Sequence, residues 1–488
     1  MDESVGHHCG IFGIYNVPDA ASKTYLGLFA QQHRGQESAG IVVSDGKKVN
    51  SKKGMGLVTE VFSKADLAAL HGHMAVGHVR YSTTGSSHPQ NIQPLLVNYS
   101  QGPVAVAHNG NLVNAKRLRD QHEAAGSIFQ TSTDSEVLLH LMAAPTTLGR
   151  EDHIAHCLRQ LKGAYSLVIM TRNQLIGARD PQGFRPLILG RMASEPNLGQ
   201  IGEGFVLCSE TCALDQIGAE LIREIEPGEI VTIDADGIQS SRIVPVEETR
   251  PAHCIFEHVY FARPDSMIFG DDVHAVRIKL GARLAIEHPV EADIVFAVPD
   301  SGNAGAIGYS RQSGIPLDMG FIRNHYVGRS FIKPNQHERE NVVAMKFNVV
   351  RSAVRGKRVV VVEDSLVRGT TFKHQAQILR RAGAKEVHLR ITCPPTRNAC
   401  YYGIDFPRKE ELIASRMKSV QEIAKWLGVD TLGYISIEGL LAAVSKPASN
   451  YCTACWTGKY PVEPVDAMDK FAMEADTFRD ANPKTSGS

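Results

Sequence analysis

Residues 358–371 hold the pattern with the most chemistry in it. Arg358 is followed by four valines, β-branched and apolar on both faces, which predicts a buried parallel strand. Glu363 and Asp364 stand where that strand should end, and Ser365 follows. A short loop, Arg368-Gly369-Thr370-Thr371, then runs straight into a helical pattern. Phe372, Ala376, Leu379 and Ala382 share one face of it, and Gly383 is placed to stop it. A strand, an acidic pair, a small-residue loop and a helix N-terminus suit a phosphosugar. Loop N–H groups and the helix dipole hold phosphate, while the carboxylates accept hydrogen bonds from vicinal ribose hydroxyls. The pair alone is equally compatible with an ordinary strand ending in two acids; the loop leading directly into a helix favours a site.

This arrangement resembles the phosphoribosyl-diphosphate (PRPP) motif of type I phosphoribosyltransferases. The resemblance implies that Ser365, Arg368, Gly369, Thr370 and Thr371 bind PRPP, and that Glu363, Asp364 and Ser301 hold Mg²⁺. Glu363 departs from the aspartate usual at its place in the glutamine-using enzymes that carry this motif. Ser301 lies in an upstream unit, Asp293–Gly302, that reads as a strand ending in a loop suited to diphosphate. Ligands of such sheets bind beyond the carboxyl ends of the strands, where both loops would lie. Between them, Asn324–Ile332 resembles a loop that closes over PRPP, and Lys346 and Asn348 are carried over as substrate contacts.

The N-terminal half offers a second chemistry. Cys9 opens a small-and-apolar strand, Cys9–Tyr15, a position where cysteine is often only packing. The segments that follow are His33-Arg34-Gly35-Gln36-Glu37-Ser38-Ala39-Gly40, then Gly77–Gly85 with Arg80, then His108-Asn109-Gly110-Asn111, then Ser132-Thr133-Asp134-Ser135-Glu136. In this order they resemble the glutaminase domain of class II glutamine amidotransferases, which are N-terminal-nucleophile hydrolases. Amide hydrolysis needs a nucleophile, a base, an oxyanion site and a substrate clamp. If residues 1–8 are removed as a propeptide, Cys9 becomes N-terminal. Its α-amine, a group that ordinarily titrates near pH ~8, then takes the thiol proton. By resemblance Asn109 and Gly110 form the oxyanion hole, Arg80 pairs with the glutamine α-carboxylate, and Asp134 binds the α-ammonium. Arg80 and Asp134 read otherwise as structural ion-pair residues.

Nine cysteines in a chain whose N-terminus is no secretory signal argue against a disulfide scaffold. A C-x-x-C pair such as Cys452-Thr453-Ala454-Cys455 can clamp two corners of a metal site, and two distant cysteines would complete four thiolates. Such sets serve both zinc and iron–sulfur, and spacing leaves that open. Cys254, Cys400, Cys452 and Cys455 with their neighbours resemble the [4Fe–4S] ligands of one branch of the enzymes that join these two domains, and the resemblance implies that these four hold a cluster. Cys157, Cys208 and Cys212 read as packing, and Cys393 is set aside.

The chain has 488 residues, enough for two or three domains; it is 43% hydrophobic, and its 52 basic and 52 acidic residues balance. The balance excludes a global basic field, hence nucleic acid as a partner. No apolar run reaches the length of a membrane span. Gly163–Met170 and 173–179 alternate like paired strands; beyond a polar junction near Glu247–Ala252, strands alternate with helices, as in a parallel sheet. The expected fold class is α/β and α+β. The resemblances imply an N-terminal-nucleophile αββα sandwich over 9–245 and a type I phosphoribosyltransferase parallel-sheet domain over 246–464. Residues 465–488 read as a short helix and a disordered end.

The two resemblances together imply a cytoplasmic enzyme. It takes ammonia from glutamine, passes it internally to PRPP, and forms 5-phosphoribosylamine and diphosphate for purine synthesis. They also imply purine nucleotides as inhibitors and a homo-oligomer, a tetramer. A different reading is a regulatory nucleotide-binding protein built on a phosphoribosyltransferase fold.

Overall fold

The structure, a computed structural model, describes residues 9–81, 88–194, 197, 200, 202–324, 347–406 and 409–465. The propeptide reading (1–8), residues 82–85 of the Arg80 motif, Lys346, residues 325–332 of the closing loop and the tail beyond 465 lie outside them. The chain folds into two compact units. Among the described residues the first unit holds 9–254, Tyr401–Asp405 and 461–465; the second holds Ile255–Cys400 and Phe406–Tyr460. No helix among the described residues is long and apolar enough to cross a membrane.

Among the described residues thirteen strands build the two main sheets of the first unit: β1 (Gly10–Tyr15), β2 (Ser38–Ser44), β3 (Val49–Met55), β4 (Met74–Arg80), β5 (Leu95–Tyr99), β6 (Gly102–Leu112), β7 (Gly163–Met170), β8 (Leu175–Arg179), β9 (Ile188–Met192), β10 (Gly204–Cys208), β11 (Glu220–Glu224), β12 (Glu229–Asp234) and β13 (Gly237–Arg242). They form two antiparallel sheets, ordered β11-β9-β10-β1-β4-β2-β3 and β13-β12-β8-β7-β6-β5. Ile11, Val42 and Val76 from one sheet meet Ala105, Val168 and Met170 from the other in a shared core. The helices Ala20–Ala30 and Cys212–Ile217 cover the outer face of the first sheet, and Ala115–Ala124, Glu136–Ala143 and His153–Leu158 cover that of the second. The result is the four-layer αββα sandwich expected. The alternation read in Gly163–Met170 does not separate a wet face from a dry one, because every residue of β7 is buried. Tyr165, Leu167 and Ile169 enter the helix-side core, whereas Val168 and Met170 enter the core between the sheets.

The second unit centres on four parallel strands, Ile294–Ala297, Arg358–Glu363, Glu386–Ile391 and Thr431–Tyr434, in that spatial order. The four valines of Arg358–Glu363 are all buried, as strands covered on both faces must be. The helix Thr370–Arg381 buries Phe372, Ala376 and Leu379, and the chain turns away at Gly383 with φ +94°. Helices Val273–Glu287 and Asn303–Ser313 cross at glycines: a Cβ on Gly281 would lie 1.9 Å from the Gly305 carbonyl oxygen.

Candidate active sites

Cys9 immediately precedes β1, which lies between β10 and β4. Its Sγ donates to the Tyr81 carbonyl at 3.7 Å, and its own carbonyl accepts from Arg34 Nε at 3.1 Å. Arg34 is paired with Glu210, both 0% exposed, and His33 Nε2 reaches the same carboxylate at 2.8 Å. Burial pushes the Cys9 thiol up to about 11, against the opposing pull of the Tyr81 bond and the Arg80 charge; Asp134 and Glu37 are close enough to push it the same way as burial. Such a thiol is no spontaneous thiolate at neutral pH and needs a base.

Arg80 ends β4, is 3% exposed and pairs with Glu37 at 2.9 Å. β6 carries His108, Asn109 and Gly110 past the end of β5, which pairs only with Gly102–Val106. Neutral His78 bridges the two sheets here, its Nε2 donating to the His108 carbonyl at 3.0 Å; burial holds it at a pKa of about 3. Asn109 is 0% exposed, and among the described residues neither its amide nitrogen nor its amide oxygen has a hydrogen-bond partner. A buried amide left open costs ~1–3 kcal/mol, which a ligand recovers on binding. Gly110 must be glycine: its φ is +152°, and a Cβ would lie 2.0 Å from the Ala164 carbonyl oxygen. Asp134 accepts from Leu112 N at 2.9 Å and Ser135 Oγ at 3.2 Å. Burial raises its pKa, but the nearby His108 and these hydrogen bonds outweigh it, so the carboxyl stays below its ordinary range and ionised. Arg80 and Asp134 both act electrostatically on the Cys9 thiol. Cys9, Arg80 and Asp134 are therefore one charged neighbourhood, with Asn109 and Gly110 on the strand that His78 ties to it. The Arg34–Glu210 anchor has no local signature: Arg34 falls within the His33–Ser38 segment, but nothing in the sequence around Glu210 marks it as the partner.

In the second unit Glu363 is the last residue of its strand, and Asp364 is buried beside it. Ser301 Oγ donates to Glu363 Oε1 at 3.3 Å, bringing together the two loops that sequence placed there. Burial and then the neighbouring Asp364 charge hold the Glu363 carboxyl well above the usual range. Ser365 Oγ donates to Asp364 Oδ1. Gly369, at φ +81°, caps the helix that begins at Thr370 and Thr371; a Cβ there would strike Ile413 at 2.8 Å. Arg368 is engaged with Glu411 through Nε at 3.0 Å and Nη2 at 2.9 Å. A cavity of about 220 Å³ adjoins the Ser301 loop, lined by Pro299, Asp300, Asn303, Phe321 and Arg323. Asn348 lies on a two-stranded ribbon opposite Ile322, which also lines that cavity.

Two carboxylates and a hydroxyl are hard oxygen donors of the kind Mg²⁺ takes, and the raised Glu363 marks a pair short of positive charge. Among the described residues no three His, Cys, Asp or Glu side chains are already gathered as a metal site. No disulfide forms among the nine cysteines; Cys254 and Cys455 are buried, and Cys400 and Cys452 are half-buried. Within the second unit, Arg397 N and Asn398 N each donate to the Cys455 carbonyl at 3.0 Å, so the segment leading to Cys400 adjoins the Cys452–Cys455 turn. In the first unit Cys254 N donates to Phe184 O at 3.0 Å. Cys157, Cys208 and Cys212 are buried packing residues, as read from sequence.

An N-terminal-nucleophile sandwich with an open buried amide, joined in one chain to a parallel sheet with an acidic pair at a helix N-terminus, defines a glutamine amidotransferase coupled to a phosphoribosyltransferase. Comparison with known proteins gives the same answer. Residues 78–216 match a glutamine amidotransferase domain family. The chain is 48% identical over 470 residues to amidophosphoribosyltransferase 1, chloroplastic, of Arabidopsis thaliana (96% of this chain, 81% of the relative), and 48% over 466 residues to the amidophosphoribosyltransferase of Bacillus subtilis (94% and 95%). The solved structure of glutamine PRPP amidotransferase from B. subtilis, complexed with ADP and GMP, superposes with a TM-score of 0.85 at 48% identity, covering 93% of this chain and 98% of that one. The chain belongs to the amidophosphoribosyltransferase family.

Proposed function

We propose that the enzyme forms 5-phosphoribosylamine from PRPP and glutamine, with the first unit releasing ammonia and the second capturing it. The observation that carries the glutaminase half is the fully buried, unpartnered Asn109 amide beside Gly110.

In this mechanism Cys9 starts a mature chain from which residues 1–8 have been removed. Its α-amine takes the thiol proton, and sulfur attacks the glutamine amide carbon. Asn109 Nδ2 and the Gly110 N–H receive the developing oxyanion, an interaction worth ~10²–10³ in turnover per donor. Arg80 binds the substrate α-carboxylate, sharing its donors with Glu37, and ionised Asp134 binds the α-ammonium. Ammonia leaves, and water cleaves the thioester to glutamate.

In the second unit Glu363 and Asp364 orient the ribose hydroxyls, and the Ser301 loop receives diphosphate. Ser365, Arg368, Gly369, Thr370 and Thr371 cradle the 5-phosphate, for which Arg368 turns from Glu411. Lys346 and Asn348 complete the substrate contacts. Ammonia attacks C1 with inversion as diphosphate departs, and the residues contribute mainly positioning. Mg²⁺ held by Glu363, Asp364 and Ser301 would neutralise diphosphate charge. Cys254, Cys400, Cys452 and Cys455 would hold a [4Fe–4S] cluster in a structural role. Purine nucleotides are the proposed inhibitors, in keeping with the ADP and GMP in the B. subtilis structure, and the working form is a homo-oligomer.

The test is diphosphate release dependent on glutamine and PRPP. Cys9→Ala should lose glutamine use yet keep synthesis from free ammonia. Loss of both activities in a folded variant would overturn the division of labour.

A further inference from the structure

The strand that carries Asn109 and Gly110 is supported on one side only by its own sheet. β7 pairs with it through Leu112, but β5 stops pairing at Val106. Past β5 the Gln93 side chain takes the His108 N–H and Asp134 takes that of Leu112, and chain from far along the sequence also approaches this stretch. Tyr401–Asp405 packs with the first unit, although Cys400 before it and Phe406 after it belong to the second. Asn111 Nδ2 donates to the Tyr401 carbonyl at 3.0 Å. Arg185, 0% exposed, donates to the Tyr402 carbonyl at 2.7 Å, and the Phe184 and Tyr402 rings stack with centroids 4.2 Å apart. The Tyr402 hydroxyl accepts from Val462 N at 2.9 Å, fastening a second returning segment. Gly403 adopts φ +102°, and a Cβ on it would lie 3.1 Å from both the carbonyl carbon and the carbonyl oxygen of Gly110.

We infer that Tyr401–Asp405 is a positioning element of the oxyanion hole, with Gly403 setting the tilt of the Gly110 peptide and so the aim of the donors. The inference rests on the reading of Asn109 and Gly110 as those donors. An oxyanion donor works only within about 2.7–3.1 Å of the charge it meets, so a shift of a few tenths of an ångström in Gly110 costs turnover while leaving substrate contacts in place. Gly110 has no slack on the far side, where β7 backs it at Ala164. The residues flanking it, Cys400 and Phe406, belong to the other unit.

The experiment compares Gly403→Ala, Asn111→Ala and Asn109→Ala in the full-length protein. Asn111→Ala removes the tether without adding bulk. Each is assayed for glutaminase kcat and KM, for synthesis from free ammonia, and for binding of glutamate and of glutamate γ-semialdehyde, whose aldehyde forms a tetrahedral thiol adduct. The expected result is a kcat loss of roughly 10–100-fold for Gly403→Ala and roughly tenfold for Asn111→Ala, part of the value of a whole donor. KM, glutamate binding and ammonia-dependent synthesis should hold steady, while the aldehyde weakens in step with kcat. Unchanged kcat in both variants overturns the inference, as does parallel weakening of glutamate and aldehyde, or a matching fall in ammonia-dependent synthesis. Asn109→Ala separates the two levels. If it keeps full turnover, the oxyanion reading itself fails and the inference with it; if it alone loses turnover, only the positioning role fails.

Discussion

Arg34 Nε donates to the main-chain carbonyl of Cys9 at 3.1 Å while its guanidinium is paired with Glu210 in a fully buried contact. The nucleophile is thus anchored by its backbone, which leaves the sulfur available for chemistry. Removing one partner of a buried pair strands the other charge, at a cost of ~3–5 kcal/mol. Arg34→Ala should therefore destabilise the first unit by about that much in denaturant titration. Glu210→Gln likewise leaves the buried Arg34 charge without its counter-ion and should cost a similar ~3–5 kcal/mol. Equal and negligible losses would show the pair to be unimportant.

Cys9 should betray its protonation by its reactivity. With residues 1–8 attached, burial keeps the thiol at about 11, so iodoacetamide labelling should be slow at pH 7 and climb steadily towards pH 11. In a chain beginning at Cys9 the α-amine assists, and labelling should level off above about pH 8. Mass spectrometry of the labelled N-terminal peptide distinguishes the two profiles; identical curves would remove the amine from the mechanism.

Glu363 carries a carboxyl raised well above its ordinary range, because burial and Asp364 both disfavour its charge. A proton held by this raised carboxyl must leave before its oxygens can bind a cation. Affinity for Mg²⁺ with PRPP should accordingly rise with pH and release a proton, which calorimetry in buffers of differing ionisation enthalpy detects. By linkage the same group favours the folded, ligand-free protein at low pH and loses that contribution as pH rises through its folded-state pKa. Glu363→Gln should flatten both dependences and raise the Mg²⁺ requirement of ammonia-dependent synthesis roughly tenfold, the equivalent of ~1.4 kcal/mol. A variant whose Mg²⁺ requirement is unaltered would take Glu363 out of the cation site.

Gly281 faces the backbone of Gly305 so closely that a methyl group would sit 1.9 Å from its carbonyl oxygen. Gly281→Ala must push the two helices apart, an overpacking cost of typically ~1–3 kcal/mol. A lower melting temperature together with weakened PRPP binding is expected, since Asn303–Ser313 starts directly after the Ser301 loop. Unchanged melting would mean that the crossing is looser than its geometry.

The parts of the molecule visible in its sequence are those whose physics is local. The valines before Glu363 announce a strand buried on both faces, and Phe372, Ala376 and Leu379 announce the face of the following helix, because each pattern needs only its own neighbours. Ser301 could be placed beside Glu363 because parallel strands deliver their loops to one edge. What stayed hidden depends on pairings that no window contains. Glu210 meets Arg34 across 176 positions. β7 has no exposed face, because a helical layer covers the side a simple antiparallel sheet would show to water.

The return of Tyr401–Asp405 and 461–465 bears on how this chain can be dissected. A fragment cut at Cys254 would be a torn module: Phe184 and Arg185 would lose their cover, and Asn111 its tether. Such a truncated piece should express as a sticky, poorly soluble product, so the half that splits glutamine is not portable to a fusion partner on its own.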